Sequence, residues 1–159
     1  MNLEKIISGG QTGADRGGLD AAIALGIDHG GWCPRGRRAE DGRVPRDYEL
    51  RELTTLEYAP RTRVNVEESE GTAIFVEDYL TPGSRATVSI CADTGKPYVI
   101  IRTKRDGFFN NVRLLQRFLQ KTGIVVLNVA GTRGSKAQGM QNKTCAIIRK
   151  AVEGLRDLT

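Results

Sequence analysis

The run Ile6-Ile7-Ser8-Gly9-Gly10-Gln11-Thr12-Gly13-Ala14-Asp15 sets two β-branched residues ahead of three glycines in five positions. Behind it Leu19, Ala22, Ile23 and Leu25 recur at helical spacing. The pattern predicts a strand, a tight turn and a helix start. Glycines at the turn let a ligand approach the backbone. The freed N–H groups, with the hydroxyls of Ser8 and Thr12, are expected to face an anion at the positive end of the helix dipole. The spacing is neither a Walker A loop, which ends in Lys-Ser/Thr, nor Gly-x-Gly-x-x-Gly. A phosphate cradle and a ligand-free glycine turn are both compatible with it, and position and composition together favour the cradle.

Further along, the same alternation repeats. A helix over 14–25 is expected to stop at Gly26, with a short strand at 27–33. Apolar runs at 72–77, 97–103 and 124–129 read as buried strands. Helices are expected at 61–69, 84–93, 110–121 and 135–155. The fold class that follows is α/β, a three-layer αβα Rossmann-like sandwich with a mostly parallel sheet of about five strands. Right-handed crossovers put the strand-to-helix loops on one edge of that sheet, where such folds bind ligands. Three polar, glycine-bearing loops converge there. The first carries Gly9, Gly10, Gln11, Thr12 and Gly13; the second Gly83, Ser84 and Thr87; the third Asn128, Gly131 and Arg133. These are the candidate ligand- and phosphate-binding residues.

Between 34 and 51 the chain is polar and carries Arg35, Arg37, Arg38, Arg43, Arg46 and Arg51. This segment either folds over the cradle and lends guanidinium groups to an oxyanion, or is a solvated loop balanced by Glu40, Asp41, Asp47 and Glu49. The 159 residues are most economically one domain, 1–159, with 39% apolar and 27% charged residues. No apolar run approaches the ~20 residues of a membrane span and no signal-peptide pattern opens the chain, so a cytoplasmic protein without membrane contact is expected. Cys33, Cys91 and Cys145 are too scattered for a disulfide framework, and with His29 as the single histidine no protein-ligated metal is expected. Cys91 and Cys145 read as core residues and His29 as a turn residue. A net charge of +5 favours an anionic partner. Aromatics make up only 6% of the chain and no stacking platform interrupts the arginines, so nucleic acid fits poorly. A homo-oligomer is left open.

The string SGGQTGADRGGLDAA, residues 8–22, resembles the signature of the putative molybdenum carrier proteins, a family of the SLOG superfamily of Rossmann-like nucleotide-binding domains. Arg61-Thr62-Arg63-Val64-Asn65 is similar to an Arg-Thr and nearby Asn of that family. The resemblance implies a non-catalytic binder of molybdenum cofactor or a similar phosphorylated heterocycle, with the metal held by the cofactor's own dithiolene. Nothing in the residues selects a pterin over a purine nucleotide.

The same superfamily holds the LOG phosphoribohydrolases, also called lysine decarboxylase-like proteins, which cleave nucleoside monophosphates at the N-glycosidic bond. Their Pro-Gly-Gly-x-Gly-Thr-x-x-Glu corresponds here to residues 82–90, where Pro82, Gly83 and Thr87 match, Ser84 and Ala86 replace glycines, and Ile90 stands at the glutamate. Isoleucine neither transfers a proton nor stabilises an oxocarbenium-like centre. Asp15 and Asp41 are the remaining candidate acids, Asp15 also reading as a helix-start carboxylate and Asp41 as a turn former. A nucleotide-processing hydrolase is thus the first alternative to the carrier, and a basic nucleic-acid-associated module the second.

Overall fold

The computed structural model describes residues 1–158. Five parallel strands form the central sheet: β1 (Lys5–Ile7), β2 (Asp28–Gly30), β7 (Gly71–Val76), β8 (Tyr98–Arg102) and β9 (Val126–Gly131). Their order is β2-β1-β9-β7-β8. Two short pairs, β3 (Trp32–Cys33) with β6 (Arg51–Glu52) and β4 (Arg38–Ala39) with β5 (Gly42–Arg43), lie outside it. Every residue of β7 is buried, as its unbroken apolar text requires of a strand covered on both faces.

Five helices flank the sheet: α1 (Ala14–Leu25), α2 (Tyr58–Glu68), α3 (Pro82–Thr94), α4 (Phe108–Thr122) and α5 (Met140–Arg156). Helix α1 packs on α5 and α5 on α4, while α2 packs on α3, so the sheet is sandwiched in three layers. The core between sheet and the α1–α4–α5 layer is aliphatic, built from Ile6, Leu127, Val129, Leu115, Ile148 and their neighbours. Helix α1 comes close to α5 at Gly17 and close to β9 at Gly18 because neither has a side chain. A Cβ at Gly17 would stand 2.5 Å from the Gln141 carbonyl oxygen, and one at Gly18 would stand 2.6 Å from Val129 Cβ. The stop of α1 is a Schellman cap, with Ile27 N–H donating to Ala22 O at 2.9 Å and Gly26 N–H to Ile23 O at 3.2 Å.

The strand order has a hidden regularity. Counted from β7 onward with β1 and β2 last, and read from the β8 edge, it is the 2-1-3-4-5 order of doubly wound sheets. The chain after β1 leaves toward β2 through α1, whereas after β7 it leaves toward β8 through α3 on the other face. The chains after β9 and β7 leave on opposite faces, and a crevice opens at the ends of β1, β9 and β7.

Several expectations are corrected. The last strand runs to Gly131, two residues past its expected end, so Asn128 lies inside the strand rather than in the loop beyond it. The final helix is interrupted: a 3-10 turn at Gly134–Lys136 is followed by Gly139 in a left-handed conformation, and α5 begins only at Met140. His29 sits in β2, where its Nε2 accepts from Glu49 N–H at 3.1 Å, and is not a turn residue. Cys91 is buried and Cys145 half-buried, both in helices. The arginine-rich segment is solvated at Arg35, Arg38, Arg43, Arg46 and Arg51, as one of its two expectations had it, but it is pinned in place rather than loose. Cys33, Ala39, Val44 and Tyr48 bury themselves with Leu19 in a second small core. Arg37 spends its guanidinium on the carbonyls of Val44, Pro45, Tyr48 and Leu50 at 2.7–3.4 Å. Among the described residues no helix is long and apolar enough to cross a membrane.

Candidate functional site

The crevice at the strand ends is a cavity of about 670 Å³, within the range of small-molecule sites. The β1–α1 turn contributes Gly9, Gln11 and Asp15, and α2 contributes Arg61, Thr62 and Asn65. Thr81, Pro82, Gly83 and Thr87 form the wall at the start of α3, and Asn128 to Arg133 with Lys136 close the circle.

All three expected loops therefore reach the cavity, though not through every residue expected of them. Gly9, Gln11, Gly83, Thr87, Asn128, Gly131 and Arg133 line it, and Gly10, Thr12, Gly13 and Ser84 do not. Gly10, at φ +75°, faces the second core, where a Cβ would stand 2.6 Å from Leu50 Cδ1. Gly13, at φ +83°, lies hard against the backbone of Thr132 to Gly134. The Thr12 hydroxyl accepts from Gly134 N–H at 3.0 Å and donates to Glu40 Oε1. Ser84 is buried beneath Thr81, whose Oγ1 caps α3 by accepting from Ser84 N–H at 3.2 Å.

The cradle geometry is corrected as well. Four N–H groups of the glycine-rich turn already have protein acceptors. Gly10 N–H donates to Ser8 Oγ at 3.3 Å, Gln11 N–H to Asp15 Oδ2 at 3.1 Å, Thr12 N–H to Gln11 Oε1 at 3.1 Å and Ala14 N–H to Thr132 O at 3.1 Å. Ser8 is fully buried and gives its hydroxyl hydrogen to Asp15 O at 2.9 Å. The negative group at the start of α1 is thus Asp15 itself. The helix start that opens on the cavity is that of α3, where Pro82 and Gly83 line the wall and the space beyond Gly83 is empty.

Positive charge gathers at the cavity from α2 and the β9 loop, with Arg38 of β4 beside it around Tyr58. The guanidinium carbons of Arg38, Arg61 and Arg133 stand 4.8, 5.4 and 5.7 Å from the centre of the Tyr58 ring. Arg61 lies across Gly9, in the space a Cβ there would fill. Its Nη1 is 3.4 Å from both Asp15 Oδ2 and Gly9 O, distances of weak contacts. Burial pushes the Asp15 carboxyl pKa up, against the opposing pull of Arg61 and the Gln11 N–H. Asp41 is outside the cavity and pairs with Arg16 at 2.6 and 2.8 Å, which holds its carboxyl below the usual range and anchors the segment to α1. Ile90 is half-buried on α3, outside the lining.

Two buried polar atoms of the lining have no hydrogen-bond partner: Gln11 Nε2 and Thr132 Oγ1, on residues each 5% exposed. Such atoms are costly unless something meets them. Arg61, Thr62, Asn65, Thr81, Pro82, Thr132 and Lys136 were not among the expected site residues. For the first three, the Arg-Thr and Asn run at 61–65 was the available signal. Asn65 also has a structural duty, since its amide clips α2 to β3 by accepting from Trp32 N–H at 2.9 Å and donating to Trp32 O at 3.0 Å.

A doubly wound sheet in permuted order, with a cavity at its switch point, defines a Rossmann-like α/β protein. The circularly permutated YpsA SLOG family is matched over residues 6–152, and the chain belongs to that family. The strand order counted from β7 agrees with that description. The chain is 40% identical to the putative molybdenum carrier protein from Syntrophus aciditrophicus SB, whose crystal structure was solved at 1.45 Å. The two agree with a TM-score of 0.92 over 95% of this chain and 96% of that one. A comparison with curated proteins finds no match.

Proposed function

We propose that the protein binds and carries a phosphorylated heterocycle, molybdenum cofactor or a close chemical relative, without transforming it. The observation that carries this reading is the lining itself: Gln11 and Thr132, whose buried Nε2 and Oγ1 are unpaired, line the same cavity as Arg61, Arg133, Lys136 and the start of α3. Polar atoms held unpaired suit the edge of a heterocycle, while cations and a helix N-terminus suit a phosphate. Among the described residues no three His, Cys, Asp or Glu side chains gather as a metal-ligand set. A molybdenum atom held by its own dithiolene asks for none, so the cargo fits these residues. The name of the Syntrophus protein supports the same cargo.

One observation favours a second reading, hydrolysis of a nucleoside monophosphate. Asp15 is a buried carboxyl in the cavity whose pKa is raised, as a general acid's would be. Ile90 at the position of the LOG glutamate weighs against it.

Thermal unfolding of anaerobically handled protein, with molybdenum cofactor or AMP at equal concentration, tests the proposal. A ligand at a hundred times its dissociation constant adds about 2.7 kcal/mol of apparent stability. A clear shift with the cofactor and no release of free base from AMP is the expected result. Base release that disappears in Asp15→Asn supports the hydrolase instead, and no shift with either ligand refutes the carrier.

A further inference from the structure

The cavity is polarised, and the polarity sets which end of a ligand enters. Arg133 is at the rim, its side chain 42% exposed, and Lys136 is exposed beside it. Asp15, Gln11, Asn128 and Thr132 form a buried wall, each 6% exposed or less. A carboxylate in that wall repels a phosphate, so the anionic tail belongs with the rim cations and the buried wall takes the heterocycle.

The wall's hydrogen-bonding capacity is directional. Gln11 Oε1 accepts from two backbone N–H groups, of Thr12 at 3.1 Å and Glu40 at 2.9 Å. Those two bonds fix which end of the amide is oxygen, and leave Nε2 as a donor without an acceptor. Asp15 is its complement, a carboxylate able only to accept when ionised. The Asn128 amide gives its Nδ2 hydrogen to Thr72 Oγ1 at 3.3 Å, which leaves its oxygen as a further acceptor. The wall thus combines one unpaired amide donor with acceptors that include a buried charge.

The geometry points to a ligand whose inner edge carries a ring N–H and an exocyclic amino group on one carbon beside a carbonyl, read by Asp15 and Gln11. This inference rests on the proposed binding of a phosphorylated heterocycle and names its class. Asp15 accepts from the N–H and amino pair, the charge-assisted arrangement that also makes carboxylate–guanidinium pairs strong. Gln11 Nε2 donates to the carbonyl. Arg61, whose polar contacts with Asp15 and Gly9 are only at 3.4 Å, moves off Asp15 and turns toward the ligand's anionic part. A pterin and a guanine both carry this edge, the amino-lactam. Adenine offers a single amino group beside a ring acceptor and leaves part of the carboxylate's capacity unmet, which polar sites reject strongly.

Isothermal titration of the intact protein with GMP, IMP, AMP and guanosine tests it. GMP is expected to bind tightest, IMP, which lacks the amino group, more weakly, and AMP at least about tenfold more weakly than GMP. Asp15→Asn should bring the three nucleotides within a few fold of one another. Gln11→Glu, which keeps the oxygen that holds Thr12 and Glu40, should weaken GMP through loss of the donor. AMP bound as tightly as GMP, or a GMP preference unchanged in Asp15→Asn, overturns the inference. Equal nucleotides that all bind better than guanosine would leave the phosphorylated-heterocycle reading standing while this inference falls. No binding of any of the four overturns this inference and leaves the carrier reading to be decided by the cofactor itself.

Discussion

Glu40 and Ser135 are joined by two hydrogen bonds, from Ser135 N–H to Oε1 at 3.0 Å and from Ser135 Oγ to Oε2 at 2.7 Å. Glu40 comes from the turn between β4 and β5, and Ser135 from the loop after β9. The same carboxylate accepts from Thr12 Oγ1 and stands 3.9 Å from Arg133. An internal anion therefore holds the arginine-rich segment against two of the three loops of the cavity, and this segment frames the site without lining it.

Removing that anion should loosen the frame. Glu40→Ala is expected to lower stability by about 1–2 kcal/mol, since charge-assisted hydrogen bonds are lost at a partly solvated position. It should also weaken ligand binding, because Thr12, next to Gln11, and Arg133 both lose a constraint. Urea unfolding measures the first effect and titration calorimetry the second. An unchanged midpoint would show that the latch carries no load.

The two acids of this turn and the acid of the cavity should leave opposite marks on the pH dependence of stability. Hydrogen bonds from Thr12 and Ser135 overcome the partial burial of Glu40 and hold its carboxyl below the usual range, as Arg16 does for Asp41. Both stabilise the fold above their unfolded pKa values, near 4.5 and 3.8, and that contribution is lost as pH falls through the folded values. Asp15, raised by burial, behaves oppositely. Its contribution is complete below the unfolded value of 3.8 and is lost as pH rises through the folded value. Asp15→Asn should therefore melt higher than the parent at neutral pH, by roughly 1 kcal/mol or about 2–4 °C, with the gain vanishing toward pH 3. A melting-temperature series of parent and variant from pH 3 to 8 checks the sign.

Two glycines of the expected site should separate cleanly. Gly10→Ala puts a Cβ against Leu50 and Val44 at a positive φ and is expected to cost about 1–3 kcal/mol of stability. Gly83→Ala meets nothing within 4 Å and should leave the melting temperature unchanged within experimental error while weakening a ligand seated against the start of α3. Comparing melting temperature with affinity for the two variants decides which glycine serves the fold and which the ligand.

Arg133→Ala combined with Lys136→Ala should weaken a nucleoside monophosphate roughly tenfold and leave the corresponding nucleoside nearly unaffected, because both cations are at the exposed rim. The salt dependence of monophosphate binding should flatten in the double variant. Equal losses for nucleoside and monophosphate would place the phosphate elsewhere.

The architecture was legible because its signals are local. Apolar runs such as Thr72–Val76, the amphipathic pattern of Val112, Leu115 and Leu119, and stop glycines at 26, 95 and 123 act within a few residues of themselves. The site was legible as a set of loops and less so residue by residue. Which face a glycine presents depends on its partner. Gly10 faces Val44 and Leu50, and Gly13 the 132–134 backbone, and no local pattern announces those partners. The same holds for the turn's N–H groups, whose acceptors include Asp15, Gln11 and Thr132. Arg61 was present only within a family-like run, because an arginine on a short helix carries no mark of what it crosses.

The pairing of β1 with β9, Lys5 beside Val126 and Ile7 beside Asn128, has a consequence for biosynthesis. During translation β1 emerges early and can find β2 at once, yet its other flank waits until the ribosome has made β9. Contacts of such wide sequence separation close late in folding. Two walls of the cavity are on opposite sides of that seam, Gly9 to Asp15 on one and Asn128 to Lys136 on the other. A nascent chain therefore has no such cavity until the seam is sewn.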